Sequence, residues 1–170
     1  MQRLVHSSLP LDTASCIIAA VLALRRQHGM HPLAVAVLDA GGLLVAFQRE
    51  DGCSTMRADI ALAKAAGALG VGMNSRLLTD KLASRPAFCN AMNGISGGRF
   101  APVPGGVLLL DRSGSAIGAV GVTGDSGDMD EWFAVAAIQM AIEAAALDTR
   151  SPVVGSDPAA AATKDPRSKL

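Results

Sequence analysis

The stretch that decides the fold is Gly105-Gly106-Val107-Leu108-Leu109-Leu110-Asp111, the turn Arg112-Ser113-Gly114-Ser115, and the return Ala116-Ile117-Gly118-Ala119-Val120-Gly121-Val122-Thr123-Gly124. Two apolar runs joined by a short polar turn containing Gly predict a β-hairpin over 107–123, buried on at least one face. Glycine inside a strand lowers its stability and marks a bulge or a place where another group approaches the backbone. The second arm carries Gly118, Gly121 and Gly124 at a spacing of three. A functional site is therefore expected near this hairpin.

Upstream, Pro10 suits a first helical turn with Ser8 as its cap. Ala14, Ile17, Ile18, Val21, Leu22 and Leu24 then recur at helical spacing until Gly29 ends the run. Pro32 precedes a strand over Leu33–Asp39, which pairs across Ala40-Gly41-Gly42 with Leu43–Arg49. Both strands are apolar on two faces, which predicts a sheet covered by helices. Ser54 is placed to cap a helix over Thr55–Val71, whose Ala and Gly content allows a very close neighbour. A shorter helix starts at Asn74 or Ser75 and ends before Pro86, with a further turn over Pro86–Met92. Asn93–Gly106 is rich in Gly and Pro and long for a connector, as functional loops often are. Asp128 with Glu131 predicts a capping box for a last helix over Met129–Leu147. The order helix, two strands, helices, two strands, helix gives an α/β sandwich with an antiparallel sheet flanked by helices.

Length and pattern indicate one domain over residues 1–148, followed by a tail over 149–170 without apolar periodicity that is expected to be disordered. Half of the 170 residues are apolar and 18% are charged, a balance that can support a packed core. Fifteen basic residues offset fifteen acidic ones, so no basic field exists for nucleic acid and no polybasic run for a membrane surface. Four Phe, one Trp and no Tyr leave little with which to stack bases. Cys16, Cys53 and Cys89 are odd in number and lack metal-ligand spacing, which fits free thiols in a reducing cytoplasm. Asp12 and Arg25-Arg26 bracket the first apolar segment, so neither a secretory signal nor a membrane span is expected. The elements carry more apolar faces than a monomer of this size covers, which predicts a homo-oligomer.

Several residues are candidates for chemistry. Lys64 sits among small neighbours, with Arg57 seven residues earlier on the same helical face. An enclosed Lys beside a second cation has a depressed pKa and can act as base or nucleophile. Alternatively it snorkels to water or pairs with a carboxylate such as Asp39. Asp39 itself precedes a Gly-Gly turn, where a carboxylate commonly accepts turn amides. Arg49 at a strand end can hold a carboxylate through its guanidinium fork or serve the structure, while Glu50 reads as a surface ion pair. Gly97, Gly98 and Arg99, with Gly105 and Gly106, can converge backbone amides on an oxyanion or simply allow left-handed turns. The carboxylates Asp125, Asp128, Asp130 and Glu131 suit a helix N-terminus, with a weak cation site as the alternative. No nucleophile elbow or phosphate-binding loop is present.

GGVLLLD…GSAIGAVGVTG, followed by an acidic helix start, resembles the C-terminal signature of the GlcG/HbpS family, a domain also found at the C-terminus of PduO. Val35–Gly42 with Phe47–Gly52 resembles the family's first hairpin, and Ala-Lys-Ala around Lys64 its central helix. The similarity spans about residues 9–148. It implies a profilin-like sandwich, often oligomeric, with haem or corrinoid binding known in some members. Haem iron would need an axial donor, for which His28 and His31 are the imidazole candidates and Cys53 and Met56 the sulfur ones. The resulting expectation is a small-molecule or haem-binding protein whose Arg49, Lys64 and Gly97–Gly106 loop line one cavity for an anionic group. A small catabolic enzyme using Lys64, Arg49 and Asp39 on a carboxylated metabolite is the first alternative, and an accessory structural protein the second.

Overall fold

The computed structural model describes residues 7–147. Along the chain run α1 (Leu11–His28), β1 (Ala34–Asp39), β2 (Leu44–Arg49), α2 (Arg57–Val71), α3 (Ser75–Leu82), α4 (Pro86–Ile95), β3 (Gly106–Leu110), β4 (Ala116–Thr123) and α5 (Gly127–Leu147). The strands form one antiparallel sheet in the order β2-β1-β4-β3. This is the α/β sandwich expected from the sequence. The tail expectation concerns residues 149–170, which lie outside the described residues.

Alternation along the strands explains the two layers. Val35, Val37, Val107, Leu109, Val120 and Val122 point to one face, where α1 and α5 bury Ile17, Ile18, Val21, Phe133 and Ile138 over them. The intervening positions, Ala34, Ala36, Leu38, Leu108 and Ala119, point to the other face and meet Ala61, Ala65 and Ala68 of α2. The first face is a branched-aliphatic core, and the second is built of alanines with Leu38 and Leu108.

The small side chains of these alanines let α2 lie directly on the sheet. Ala36, Gly121 and Gly106 stand in register across β1, β4 and β3. A Cβ at Gly121 would strike the Ala61 carbonyl and come within 3.0 Å of the Ala65 nitrogen; at Gly106 it would strike the Lys64 carbonyl. Gly118 and Gly124 are similarly met by the carbonyls of Leu38 and Pro32. The expectation that the glycine spacing marks a functional site is thus corrected. What approaches these glycines is the protein's own backbone.

Several capping expectations also change. Ser8 does not cap α1; its hydroxyl donates to the Ile117 carbonyl (3.1 Å) and accepts from Ala40 N–H (2.9 Å), tying the chain to two strand ends. The helix after Ser54 starts only at Arg57 and has no side-chain cap. Asp128 and Glu131 form no capping box, because both carboxylates accept from the Arg76 guanidinium on α3. Ser126 caps α5 instead, accepting from Met129 N–H at 3.3 Å. Asn74 and Ser75 turn inward: Asn74 accepts from Leu108 N–H (2.9 Å) and Ser75 from Gly106 N–H (2.8 Å). Two outward amides of the β3 edge are thereby satisfied by buried side chains.

Backbone-to-backbone contact leaves no room for a methyl group at Gly121. Gly121→Ala should destabilise the fold by about 2–3 kcal/mol, read from urea unfolding, with α2 lifted from the sheet. A variant as stable as the parent would contradict this packing.

Candidate functional site

Lys64 lies in the middle of α2, where its backbone sits over Gly106 and its side chain runs past Gly105 at the end of the sheet. Its ammonium donates to Asp130 Oδ2 at 2.6 Å and to the Val122 carbonyl at 3.0 Å. Asp130, in the first turn of α5, also accepts from Asp125 N–H at 3.0 Å. Lys64 is 3% exposed and Asp130 1%. Burial pushes the lysine pKa down and the aspartate pKa up, and the attraction between them opposes both shifts. A Cβ on Gly105 would approach both Lys64 Nζ and Asp130 Cβ to 2.9 Å, so glycine there makes room for the pair. The bond joins helices from opposite faces of the sheet. Lys64 has the carboxylate partner that a structural role requires, and that partner is Asp130 rather than Asp39.

Asp39 fills the turn role. Its Oδ1 accepts from Gly41 N–H and Leu43 N–H, both at 2.9 Å, and closes the β1–β2 turn. Arg49 is exposed, donates to the Cys53 carbonyl at 3.2 Å, and lines a shallow depression of about 370 Å³ with Leu22, Arg25 and Glu50. Glu50 accepts from Leu33 N–H at 2.9 Å and pairs with Arg25 at 3.4 Å, half-buried rather than at the open surface. The single cavity expected from Lys64, Arg49 and the Gly97–Gly106 loop is therefore not what the geometry builds. Lys64 is sealed by the sheet end, Arg49 is turned to the Cys53 carbonyl beyond the end of β2, and Gly105 and Gly106 are packed beneath α2. Lys64, Arg49 and Asp39 likewise do not converge on one reacting centre.

The Gly97-Gly98-Arg99 segment ends α4. Gly97 N–H donates to Gly94 (3.2 Å), Gly98 N–H to Asn93 (3.0 Å) and Arg99 N–H to Ser96 (3.4 Å). Gly97 and Gly98 adopt φ of 62° and 83°, as a left-handed helix end requires. These amides are consumed by helix carbonyls, so the expected convergence on an oxyanion is replaced by a helix cap. Beyond it the chain crosses over α2, with Phe100 packed against Gly67 and Ala101 N–H bonded to the Ala63 carbonyl at 3.2 Å.

Gly97, Gly98 and Arg99, which precede this crossing, border a depression of about 530 Å³. Leu38, Leu43, Leu44, Leu62 and Ala66 make its apolar floor; Gly42, Gly97 and Gly98 its backbone edges; Asp59 and Arg99 its charges. A second hollow of about 310 Å³, reaching Leu69 and Gly70, shares Gly42, Ala66 and Arg99 with it. Arg99 is exposed, and no carboxylate pairs with it among the described residues. An apolar concavity of this volume with a few polar groups is the usual form of a small-molecule site. The sequence had pointed to Gly97, Gly98 and Arg99. It had not pointed to Asp59 or the leucines, whose meeting depends on how the β1–β2 turn stands beside α2.

None of the residues named as lining this site is a His, Cys or Met. His28 packs edge-on to Trp132, ring centres 4.9 Å apart, in the α1–α5 layer. His31 is exposed and donates its backbone N–H to Asp125 (3.1 Å). The Cys53 thiol donates to the Pro32 carbonyl (3.0 Å), and burial, then the Glu50 charge, push its pKa up. Met56 is 66% exposed, three residues before Asp59 at the start of α2. Among the described residues no group of His, Cys, Asp and Glu is arranged to hold a metal ion, so the acidic start of α5 is explained by its lysine and arginine partners. Among the same residues no helix is long and apolar enough to cross a membrane.

A family model described as "Haem degrading protein HbpS-like" matches residues 9–139. The chain belongs to this family. Its fold is similar to the crystal structure of HbpS (26% identity, 82% of this chain and 93% of that one, TM-score 0.68). It is similar also to Klebsiella pneumoniae protein ORFY (25%, 82% and 94%, 0.70). A structure titled as a PduOC:heme complex shares the fold at 23% identity, over 87% of this chain and 97% of that one, with a TM-score of 0.71. No curated protein matches the chain. Membership of the HbpS-like family agrees with the GlcG/HbpS resemblance read from the sequence.

Two outcomes follow from this geometry. Lys64→Ala should leave the Asp130 carboxylate buried without its partner and cost about 3–5 kcal/mol, while Lys64→Met combined with Asp130→Leu should recover most of that loss; denaturant unfolding of the three variants checks both. For the thiols, alkylation at about pH 8 should label exposed Cys16 before Cys53. The raised pKa keeps Cys53 protonated further into base, so its labelling rate should still climb where an ordinary thiol has levelled off.

Proposed function

We propose that this protein binds haem or a related tetrapyrrole in the depression between α2, the β1–β2 turn and Gly97–Arg99. The observation that carries the reading is an apolar floor beside an arginine without a carboxylate partner. A tetrapyrrole offers a broad apolar face and peripheral carboxylates. Leu38, Leu43, Leu44, Leu62 and Ala66 suit the face, and the Arg99 guanidinium can take a propionate in a bidentate, charge-assisted pair. Asp59, lining the same depression, disfavours propionates on its own side and so orients the ring. Membership of the HbpS-like family supports the same ligand class.

The residues fit the macrocycle and its carboxylates; the lining offers no axial nitrogen or sulfur donor. Affinity in this reading comes from the ring and Arg99, and His28 and His31 lie away from the site. When bound, the haem iron supplies one-electron chemistry. The chain's own part is to exclude water from one ring face and fix a propionate. The free thiols Cys16, Cys53 and Cys89 support a reducing, cytoplasmic setting.

Titration with haemin and with iron-free protoporphyrin IX, followed by Soret absorbance and by tryptophan fluorescence, tests this. Both should bind with similar affinity. Arg99→Ala should weaken both about tenfold to a hundredfold, the worth of one charged hydrogen-bonded contact, and should not affect the porphyrin dimethyl ester. Absence of binding by either porphyrin would overturn the proposal.

A further inference from the structure

α4 is an apolar helix that the fold leaves uncovered. Its sequence, Pro-Ala-Phe-Cys-Asn-Ala-Met-Asn-Gly-Ile, contains no charged residue. None of these residues is buried. Cys89 and Met92 are half-buried, while the neighbouring stripe of Phe88, Ala91 and Ile95 is exposed, Ile95 to 80%. A helix this short holds together in water only where packing supports it. Its attachment to the molecule is correspondingly slight. Among the described residues, the hydrogen bonds of residues 86–99 all stay within 85–99, and no ion pair reaches them. The Arg85 guanidinium, 4.5 Å over the Phe88 ring, belongs to the same segment.

The chain is fixed on either side of this segment. Before it, Leu78 is buried and Thr79 Oγ1 donates to the Pro102 carbonyl at 2.8 Å. After it, Phe100 is buried against Gly67, and Ala101 N–H reaches the Ala63 carbonyl at 3.2 Å. The Thr79–Pro102 bond thus closes a loop from which α4 stands out. At its C-terminal end lie Gly94, Gly97 and Gly98, and a Cβ at any of them would meet no atom within 4 Å. Unlike Gly106 and Gly121, these glycines make room for no neighbour; they leave the backbone free to turn.

We infer that α4 is a flap that folds over the outer face of the ligand and forms the second apolar wall of the depression, an inference that rests on the tetrapyrrole reading above. The place of the flap selects this occupant. Gly97, Gly98 and Arg99 at its end already line the depression, and Ser96 lines the hollow that adjoins it. Leu43 and Leu44 of the same depression remain 68% and 52% exposed, so its floor has no cover. The ligand's chemistry points the same way. A planar macrocycle has two apolar faces, and the floor takes only one from water. The uncharged stripe Phe88–Ala91–Ile95, about 10 Å long at the helical rise, suits the other. Turning at Gly97–Gly98 lays the stripe there while Arg99 keeps the propionate, and withdrawal of both apolar surfaces from water favours the closed form.

Hydrogen–deuterium exchange of the full chain, with and without iron-free protoporphyrin IX, tests the flap together with the double variant Phe88→Ser/Ile95→Ser. Both side chains are exposed, so the variant should melt close to the parent. In the free protein the amides of 90–98 should exchange quickly at any protein concentration, and porphyrin should slow them about tenfold or more. Porphyrin should leave the variant about tenfold faster or more, followed by Soret absorbance. The dimethyl ester should be lost faster in the same proportion, which separates the flap from Arg99. Porphyrin binding with unchanged exchange over 90–98 and unchanged dissociation from the variant would overturn the flap and leave the site standing. Protection of these amides in the free protein that grows with its concentration would put a second copy on this face and overturn the flap too. Absence of porphyrin binding would overturn the binding reading and the flap with it.

Discussion

Direct contact between the backbone of α2 and the sheet is the constraint on which the rest of the molecule depends. The row Ala36–Gly121–Gly106 removes side chains from beneath the helix, and the carbonyls of Ala61 and Lys64 rest where methyl groups would otherwise be. An Ala- and Gly-rich helix can settle at this depth, whereas one bearing leucine on its inner face could not. The buried valines Val35, Val37, Val107, Val120 and Val122 lie on the opposite face, where α1 and α5 supply the volume of the core. The sheet is thus asymmetric in thickness, with dispersion and apolar burial concentrated on one side and close approach on the other.

Placing α2 so low decides where its polar residues go. Lys64 cannot reach solvent through the sheet, and its ammonium emerges at the sheet end against Asp130 of α5. Nearby, Arg57 donates to Thr123 at 2.8 Å and Arg76 gathers Asp128 and Glu131. Polar fastenings therefore tie the helices of both layers together where strand pairing stops. Each buried partner is satisfied, and no described buried side-chain nitrogen or oxygen lacks a hydrogen bond. Charges used in this way have little freedom to do chemistry on a ligand.

Another side of the same helix meets different demands. Leu62 and Ala66 flank the sheet contact, half-buried against its strand residues, and line the open depression with their remaining surface. With the β1–β2 turn held by Asp39 on one flank and the α4 cap on the other, an apolar hollow remains with one unpaired arginine at its margin. Buried charge serves the fold at one end of α2, and an accessible charge is left beside the hollow.

The hairpin of β3 and β4, the order of elements and the two-faced apolar strands were legible in the sequence, because alternation and turn glycines are local signals. The Asp39 turn was legible for the same reason. Family membership was too, since it rests on ordered local motifs such as the Gly105–Gly124 stretch. The role of the spaced glycines was not: a sequence shows that backbone is approached, but only the packed helix shows that the visitor is α2. Nor did the sequence reveal that Lys64 belongs to Asp130, sixty-six residues away, because pairs at that separation are set by which helices face each other across the sheet. The same holds for Asp128 and Glu131, whose spacing suits a capping box until Arg76 arrives from α3. Local periodicity, turn chemistry and composition determined the elements and the fold class. Tertiary packing alone decided which charges are sealed and which hollow stays open, since each depends on contacts between residues that no short-range pattern connects.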